Sequence, residues 1–357
     1  MVTLQTIQAH NATLKALPPS LVAVFVGGTS GISLSTARSL ARHTTAPKIY
    51  LIGRSQPAAD RAIAELKSIN PAAQPTFLQA DISLLHNVDR VCAEITARES
   101  RLNLLFMTPG HMTLKGRVET AEGLDRKLSL HYYARMRFVL RLMPLLAAAA
   151  AATAAPSSVS APGSAGAGGL SRVVSVLDPQ VAVRAGGAGK LDYNDLSLKD
   201  TFSLKKCGHH ASLMGNFFLE GLATRYPHTS FVHAYPSGVA TGLMREMPGG
   251  EGWWTSILLK VLAPFMVPLE ESGERHLFAA TSARYPPRGE RRGEPGEVVV
   301  GSDEVKGGGS YWLNRDGEAF LPNRKMDGTR EEGAVEKVWA HTQAVFRRIC
   351  EEGRRYP

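Results

Sequence analysis

A short apolar run followed at once by glycines constrains the fold of this 357-residue chain more than any other feature. Residues Leu21–Val26 are all apolar, which is typical of a parallel strand buried on both faces. Apolar positions then recur at helical spacing over Gly31–His43, and Lys48–Ile52 has the pattern of a second strand. Strand, glycine turn, helix and strand in this order predict a βαβ unit.

The same alternation of strands and helices continues along most of the chain. Further strands are expected near Phe77, over Leu104–Met107, Arg172–Leu177 and Ser230–Ala234, and finally near Val298–Val300. Helices are expected over Ala59–Ile69, over Val88–Arg98, from about Leu124 into an alanine tract, and over about His209–Arg225. This regular alternation predicts an α/β fold with one Rossmann-type, doubly wound parallel sheet.

The two ends of the chain and one internal stretch stand apart from this domain, which is expected over residues 21–329. Residues 1–20 form an N-terminal extension, and an apolar stripe within residues 330–357 predicts an amphipathic C-terminal helix docked on the domain. Residues 147–169 are almost wholly Ala, Ser, Gly and Pro, which bury too little side chain to offset the entropy of ordering. We expect this stretch to be a disordered surface insertion.

Charge and cysteine usage argue against several classes of function. The formal charge is +9, but the basic residues are scattered except at Arg284–Arg292, which lacks the interleaved aromatic residues of a nucleic-acid surface. Cys92, Cys207 and Cys350 are far apart, so neither a disulfide framework nor a metal site is expected. No convincing run of 18 apolar residues predicts a membrane span, and a reducing, cytoplasmic location fits best.

The turn between the first strand and helix reads Gly27-Gly28-Thr29-Ser30-Gly31-Ile32-Ser33. Glycines there let the backbone turn tightly and approach a pyrophosphate, whose charge is met by amides at the helix N-terminus. A tight turn in any α/β protein gives the same letters, but the position between strand and helix favours a nucleotide site. The turn resembles the Thr-Gly-x-x-x-Gly-x-Gly loop of the short-chain dehydrogenase/reductase (SDR) family. Gly27 and Gly31 match that loop, and Ser33 replaces its last glycine.

The resemblance extends over roughly Leu21–Leu243 and implies a nicotinamide cofactor. In the turn, the implied contacts are Gly27, Thr29, Ser30, Gly31 and Ile32. Asp81 matches the family's aspartate beside the adenine, although an aspartate that caps the next helix would look identical. Thr108-Pro109-Gly110 stands where the family has Asn-Ala-Gly, and residues 236–241 resemble its segment beside the nicotinamide. These two segments add Pro109, Gly110, Pro236, Val239 and Thr241 to the implied contacts.

Arg54 and Ser55 follow the second predicted strand, where an NAD enzyme more often presents an acidic residue to the ribose 2′-hydroxyl. A guanidinium can form a bidentate contact with a 2′-phosphate, and the hydroxyl of Ser55 can add a donor. We therefore expect NADP(H) rather than NAD(H). The alternative is a solvated arginine in a loop.

SDR chemistry usually depends on a tyrosine followed four residues later by a lysine, and none of the nine tyrosines here has one. Alignment with the family places Gly208 at the tyrosine position, Ser212 at the lysine position and His131 at the asparagine position. Asp178 falls at the serine position, and Ser175 competes with it if the strand register differs.

Titratable side chains are nevertheless concentrated near the expected nicotinamide, namely His131, Tyr132, Tyr133, Arg135, Asp178, His209 and His210. Histidine exchanges protons near neutral pH, and a partly desolvated aspartate can serve as an acid. We predict that the catalytic residues are Asp178, His131, His210, Arg135 and Tyr133. Surface or capping roles for the histidines and a plain strand-end turn at Asp178 are the alternatives.

The pattern is similar to that of fungal SDR-like proteins that share the Val-Phe-Val-Gly-Gly-Thr-Ser-Gly loop and the segment His131–Phe138. The resemblance implies an NADP(H)-dependent oxidoreductase that reduces a carbonyl or imine of an apolar small molecule in specialised metabolism. Two alternatives stay open because Tyr and Lys are missing. One is a non-redox cyclase or isomerase, since some fungal alkaloid SDRs guide a cycloaddition, and the other is an inactive NADP(H)-binding protein.

Two further expectations follow from the family. SDRs place a mobile lid after the segment beside the nicotinamide, which here implies a substrate lid at about residues 243–275. Its apolar part, Trp253–Leu269, has the alternatives of a core helix pair or a membrane-surface contact. SDRs also often pair through two long helices, here Leu124–Leu146 and His209–Arg225, which implies a homodimer.

Overall fold

A computed structural model describes residues 1–17, 19–110, 113–152, 169–181, 190–239, 266–288, 298–321, 329–330 and 332–357. The strands are β1 (Val22–Val26), β2 (Lys48–Gly53), β3 (Gln74–Gln79), β4 (Leu104–Met107), β5 (Arg172–Val176), β6 (Ser230–Ala234) and β7 (Ser310–Leu313). The helices are α1 (Leu4–Thr13), α2 (Gly31–His43), α3 (Gln56–Ile69), α4 (Leu85–Arg98), α5 (Ala134–Ala151), α6 (Leu204–Arg225), α7 (Leu269–Thr281) and α8 (Ala334–Phe346). A helical turn at Arg126–Leu128 and a π-helical turn at Ser129–Tyr133 lead into α5, and a π-helical turn at Arg347–Glu351 continues α8.

The seven strands form one parallel sheet in the order β3-β2-β1-β4-β5-β6-β7. The chain order reverses at β1, which lies between β2 and β4. In open α/β sheets, ligands bind at the carboxyl ends of the strands beside such a reversal. The predicted doubly wound Rossmann-type sheet is therefore confirmed, and it fixes the place of a cofactor crevice.

The sheet separates two apolar cores, which explains why its strands have continuous apolar sequences. On one face, Val22, Val24 and Val26 of β1 pack in the core that contains α4, α5, α6 and α8. On the other face, Ala23 and Phe25 pack in the core that contains α1, α2 and α7. All five residues of β1 are buried, so neither face of this strand meets water.

The last strand lies about ten residues later than the sequence pattern predicted. Val298–Val300 resembles a strand because it is β-branched, but in the structure only an isolated bridge joins Val300 to Lys306. The last strand is β7, where Trp312 fills one core and Tyr311 the other. Gly309, with φ of +84°, closes the turn before it, a conformation that favours glycine.

Parts of the predicted insertion and of the predicted lid belong to regular helices of the domain. Helix α5 continues to Ala151, so the predicted insertion at 147–169 begins at least five residues too early, because alanine is the best helix former. Residues 153–168 lie outside the described residues. Of the predicted lid, residues 269–275 belong to the buried helix α7, where Gly273 packs against Ser35 of α2, and residues 243–265 are not described.

The C-terminal helix docks as predicted, but it covers the helices that were expected to form a dimer. Trp339 of α8 stacks on Phe218 of α6, with ring centroids 4.8 Å apart, and the Thr342 hydroxyl lies 2.6 Å from that of Tyr132. Residues 210–223 of α6 are all buried, as expected for a helix covered on every side. The expected homodimer through these helices is therefore not supported, because the chain's own α8 occupies that surface.

None of the helices within the described ranges combines the length and apolar character needed to span a bilayer.

Candidate active site at the carboxyl edge of the sheet

The glycine turn after β1 lies directly beside the end of β4. Gly27 has φ of +78°, and a Cβ placed there would be 3.2 Å from Thr108 Oγ1 and 3.4 Å from Pro109 N. The backbone amides of Gly27 and Gly28 both donate to Ile52 O, at 2.9 and 3.0 Å, which ties the turn to β2. The close approach and the positive φ explain why only glycine fits position 27.

Helix α2 begins in this turn with its N-terminus at the edge of the sheet. Gly31, with φ of +59°, is its first residue, and Ser30 precedes it in extended conformation. Among the described residues, the Ser30 side chain makes no capping hydrogen bond, so the first amides of α2 are not satisfied by it. Uncapped amides and the helix dipole together suit a pyrophosphate. The residues present therefore fit the phosphates of a dinucleotide.

Ser33 is fully buried in the first turns of α2, which separates it from any ligand surface. Its Oγ has no hydrogen-bond partner among the described residues. The loss of the family's glycine thus adds an unsatisfied hydroxyl to the packing between helix and sheet, at a cost of about 1 kcal/mol or more.

Arg54 and Ser55 lie where β2 ends and α3 begins, and both are exposed. Ser55 is the N-cap of α3, and its Oγ accepts a hydrogen bond from Ala58 N. A hydroxyl that accepts in this way keeps its own proton for donation. A guanidinium, a hydroxyl donor and a helix N-terminus are therefore grouped within a few residues, all suited to an anion.

Asp81 follows β3 at the same edge, and it does not cap helix α4. Its Oδ1 accepts from Ser83 N and Ser83 Oγ, at 3.0 and 2.7 Å, whereas the N-cap of α4 is Leu84. Burial raises the pKa of Asp81, but the Ser83 hydrogen bonds and the positive charges of Arg126 and Arg54 outweigh burial and hold it below its usual range. Asp81 thus carries negative charge near the predicted adenine end of the crevice.

The remaining predicted cofactor contacts follow β4 and β6. Pro109 is buried and Gly110 is exposed directly after β4. Pro236 and Val239 are half-buried after β6, and Val239 forms a bridge with Val267. Thr241 lies outside the described residues. The structure therefore brings every described member of the predicted cofactor set to one edge of the sheet.

Arg135 is buried beneath this edge, with only 1% of its surface exposed. Its Nη1 donates to Ser175 Oγ (2.8 Å) and Val176 O (2.9 Å), and its Nη2 donates to Pro109 O (2.6 Å). Burial lowers the pKa of this guanidinium to about 9. Arg135 was predicted to be a catalytic residue, but this burial keeps it from direct contact with a substrate. It instead joins the ends of β4 and β5 from inside the protein.

Tyr133 and His210 are also held in structural hydrogen bonds. The hydroxyl of Tyr133, which is fully buried, bonds to His341 Nε2 at 2.8 Å, and burial raises the pKa of Tyr133 well above its usual value. His210 Nε2 accepts from Asp192 N at 3.2 Å, and its Nδ1 lies 3.3 Å from Leu196 O. Burial lowers the pKa of His210. Both geometries argue against the predicted proton transfer to a substrate.

Two predicted catalytic residues keep partial exposure. His131 lies in the π-helical turn before α5, an arrangement often found at functional sites, and is half-buried. Asp178 is half-buried two residues after β5, and its Oδ1 accepts from Gln180 N at 2.8 Å. The competing residue, Ser175, is only 3% exposed and accepts the Arg135 hydrogen bond. The geometry therefore favours Asp178 over Ser175 as the group that faces a ligand.

Comparisons with known proteins agree with this fold. A family model described as short chain dehydrogenase matches residues 21–152. An oxidoreductase of Emericella nidulans is 40% identical over 97% of this chain and 98% of its own. The short-chain dehydrogenase/reductase SAT2 of Stachybotrys chartarum is 29% identical over 96% of each chain. The solved structure of L-sorbose reductase from Gluconobacter frateurii, complexed with NADPH and L-sorbose, shares the fold. It has a TM-score of 0.53 and 19% identity over 85% of this chain and 98% of that one.

The chain belongs to the short-chain dehydrogenase/reductase family, and it is an oxidoreductase of that type.

Proposed function

We propose that the protein is an NADP(H)-dependent oxidoreductase that reduces a carbonyl or imine of an apolar small molecule. The observation that carries this proposal is the sheet edge where the turns after β1 and β4 meet. There Gly27 approaches Thr108, and the amides of α2 lack a serine cap. These amides would hold the pyrophosphate of the cofactor, and Asp81 would meet its adenine. When bound, the nicotinamide supplies the hydride.

The preference for NADP(H) rests on the group at the end of β2. Arg54, the Ser55 hydroxyl and the N-terminus of α3 together offer positive charge and donors to a 2′-phosphate. Solved structures of this fold include complexes with NADPH and with NAD, so the preference rests on this group of residues alone. NAD(H) has a 2′-hydroxyl in place of this phosphate and would gain no charge-assisted contact from these groups.

In most SDRs a tyrosine and a lysine supply the proton that follows hydride transfer, and this chain would need different residues for that step. Gly208 stands at the tyrosine position, and among the described residues nothing lies within 4 Å of a Cβ placed there. Asp178 is the titratable group that we assign to the site, and the amide of Gln180 stabilises its carboxylate form. A negative carboxylate suits a cationic imine, which needs no proton at its reacting bond.

Fungal specialised metabolism is the setting that we assign to this reaction, since both relatives described above come from fungi. The second candidate, a non-redox cyclase or isomerase, is favoured by the open space at Gly208, which leaves room for a substrate where most SDRs place their acid.

Stereospecifically deuterated NADPH separates these functions when it is incubated with the protein and a panel of aldehydes, ketones and cyclic imines. We expect deuterium in a reduced product, with imines reacting faster than ketones. Product that forms without label and without cofactor oxidation would establish the non-redox reaction instead. Bound NADPH with neither label transfer nor product across the panel would point to an inactive cofactor-binding protein.

A further inference from the structure

We propose that Ser212, Asn216 and His233 are positioning residues that fix the Asp178 turn at the active site. The inference rests on the proposed function, because it assigns a purpose to the loop that carries Asp178. It is drawn from a continuous chain of hydrogen bonds between α6, β6 and the residues that follow β5.

Residues 178–181 form a tight turn after β5. Asp178 and Pro179 occupy its first two positions, which are the preferred places for these residue types in a β-turn. Val181 N donates to Asp178 O at 3.4 Å, and Gln180 N donates to Asp178 Oδ1 at 2.8 Å. These local bonds set the shape of the turn, but they do not fix its position relative to the sheet.

Two side chains one helical turn apart on α6 hold the turn in place. Ser212 Oγ donates to Asp178 O at 2.8 Å, and Asn216 Nδ2 donates to Pro179 O at 2.9 Å. Both side chains are fully buried. Positions four residues apart lie on one helix face, so the pair contacts two consecutive carbonyl groups of the turn.

His233 of β6 fixes the orientation of the Asn216 amide. Its Nδ1 lies 2.6 Å from Asn216 Oδ1, so the ring donates and the amide oxygen accepts, which leaves Nδ2 for Pro179. Burial and the charge of Arg135 lower the pKa of His233 to about 3, so the ring stays neutral. Because the orientation of the Asn216 amide is fixed in this way, its Nδ2 can donate only toward Pro179 O.

The turn is also held from its other side. Ser175 is the register partner of His233 on the adjacent strand, and Arg135 binds Ser175 Oγ and Val176 O just before the turn. The backbone on both sides of Asp178 is therefore bonded to buried side chains. Such buried networks give a single, rigid geometry when they are satisfied.

The alignment with the family puts Ser212 at the position of the catalytic lysine. In this chain, the same position of the helix binds the backbone carbonyl of Asp178. We infer that the site has exchanged a tyrosine and lysine for a carboxylate whose placement depends on α6.

A comparison of NADP⁺ and NADPH affinities tests this inference without a substrate. The oxidised nicotinamide is cationic and the reduced one is neutral, so a nearby carboxylate favours NADP⁺. The ratio of the NADPH to the NADP⁺ dissociation constant is measured at pH 8 for wild type, Asp178→Asn, Ser212→Ala, Ser212→Thr and Asn216→Ala. Ser171→Ala is the matched control, because Ser171 is buried and its Oγ binds Leu146 O at the opposite end of β5.

We expect Asp178→Asn to lower this ratio by about three- to tenfold. Ser212→Ala and Asn216→Ala should lower it by at least half of that factor, and Ser212→Thr, which keeps the hydroxyl, should restore it. Ser171→Ala should leave the ratio unchanged even where its melting temperature falls as far as that of Ser212→Ala. If Ser212→Ala does not fold, Ser212→Cys replaces it, since a thiol is a weak donor.

The variants distinguish a failure of the positioning role from a failure of the proposed function. If Asp178→Asn changes the ratio but the α6 variants do not, the positioning role is wrong and the proposed function stands. If Asp178→Asn leaves the ratio unchanged, Asp178 is not at the nicotinamide, and its part in the proposed function is lost together with this inference.

Discussion

Cofactor choice depends on one exposed side chain in this account. Replacing Arg54 with Asp removes a charge-assisted contact to the 2′-phosphate and adds a repulsive charge, so NADPH binding should weaken by about 1.5–3 kcal/mol. NADH affinity should change little. Titration of intrinsic fluorescence measures both, with Arg61→Asp on the exposed surface of α3 as the control of equal charge change. Equal losses of NADPH affinity in the two variants would mean that NADPH responds to the overall positive charge of the protein and not to a direct contact with Arg54.

Buried histidines make the stability of the protein depend on pH. His276 is 6% exposed, and burial lowers its pKa to about 4 although its ring also bonds to Ser272 O. The His276 ring becomes protonated near pH 6.5 in the unfolded chain but only near pH 4 in the folded chain. The unfolded chain therefore binds more protons between these two values, and the free energy of unfolding falls as pH falls through this window. For this residue, the free energy of unfolding is expected to be about 2 kcal/mol lower at pH 5 than at neutral pH.

Melting temperatures between pH 7.5 and 5.0 test this linkage. His276→Asn, which keeps a donor near the Nδ1 position, should flatten the decline, whereas His228→Asn at an exposed site should run parallel to wild type. Parallel curves for both variants would show that folding does not lower the pKa of His276.

At the scale of elements, the alanine-rich segment after α5 is expected to be dispensable. Deleting residues 157–168 should change the melting temperature by less than about 2 °C, since Ser, Gly and Ala bury little apolar area. Deleting residues 147–151 instead removes the last turn and more of α5 and is the matched control for chain shortening. A fall of several degrees for the first deletion would show that the segment packs on the domain.

Local patterns in the sequence were sufficient for most elements, because each β-strand is short, apolar and bounded by a helix of regular period. The error at Val298–Val300 has a physical cause: β-branched residues suit a strand anywhere, whereas pairing beside β6 required the buried pair Tyr311 and Trp312. Helix α7 was not predicted at all, since its polar residues include Glu274, which is buried by contacts with Asn11 and Ser39 from elsewhere in the chain.

The cofactor edge was predictable in the same way, because its residues follow strand ends that the sequence shows directly. The orientation of the predicted catalytic side chains was not predictable from the sequence. Whether these side chains face a ligand or the interior depends on contacts that no local pattern reveals. Arg135 is held by the ends of β4 and β5, Tyr133 by α8, and His210 by the loop before α6. The sequence analysis placed Ser212 only at the family's lysine position and did not single out Asn216. Their spacing of four residues on one helix was a usable signal for the proposed positioning role.

At the scale of the whole molecule, α8 covers the helices through which the family resemblance implied a dimer. Because Trp339 and Thr342 cover Phe218 and Tyr132, we expect a monomer of 38.5 kDa by size-exclusion chromatography with light scattering. A chain that ends at Glu332 should expose this apolar surface and either dimerise or aggregate. A stable full-length dimer that persists at nanomolar concentration would contradict this account of α8.

Direct titration of the purified protein tests whether the sheet edge at the carboxyl ends of β1 and β4 holds NADP(H). Energy transfer from tryptophan to bound NADPH is followed as cofactor is added, and the same titration is repeated with NADH. We predict saturable NADPH binding at least about tenfold tighter than NADH, equivalent to about 1.4 kcal/mol from the 2′-phosphate. Saturation by neither cofactor, or tighter binding of NADH, would contradict the account.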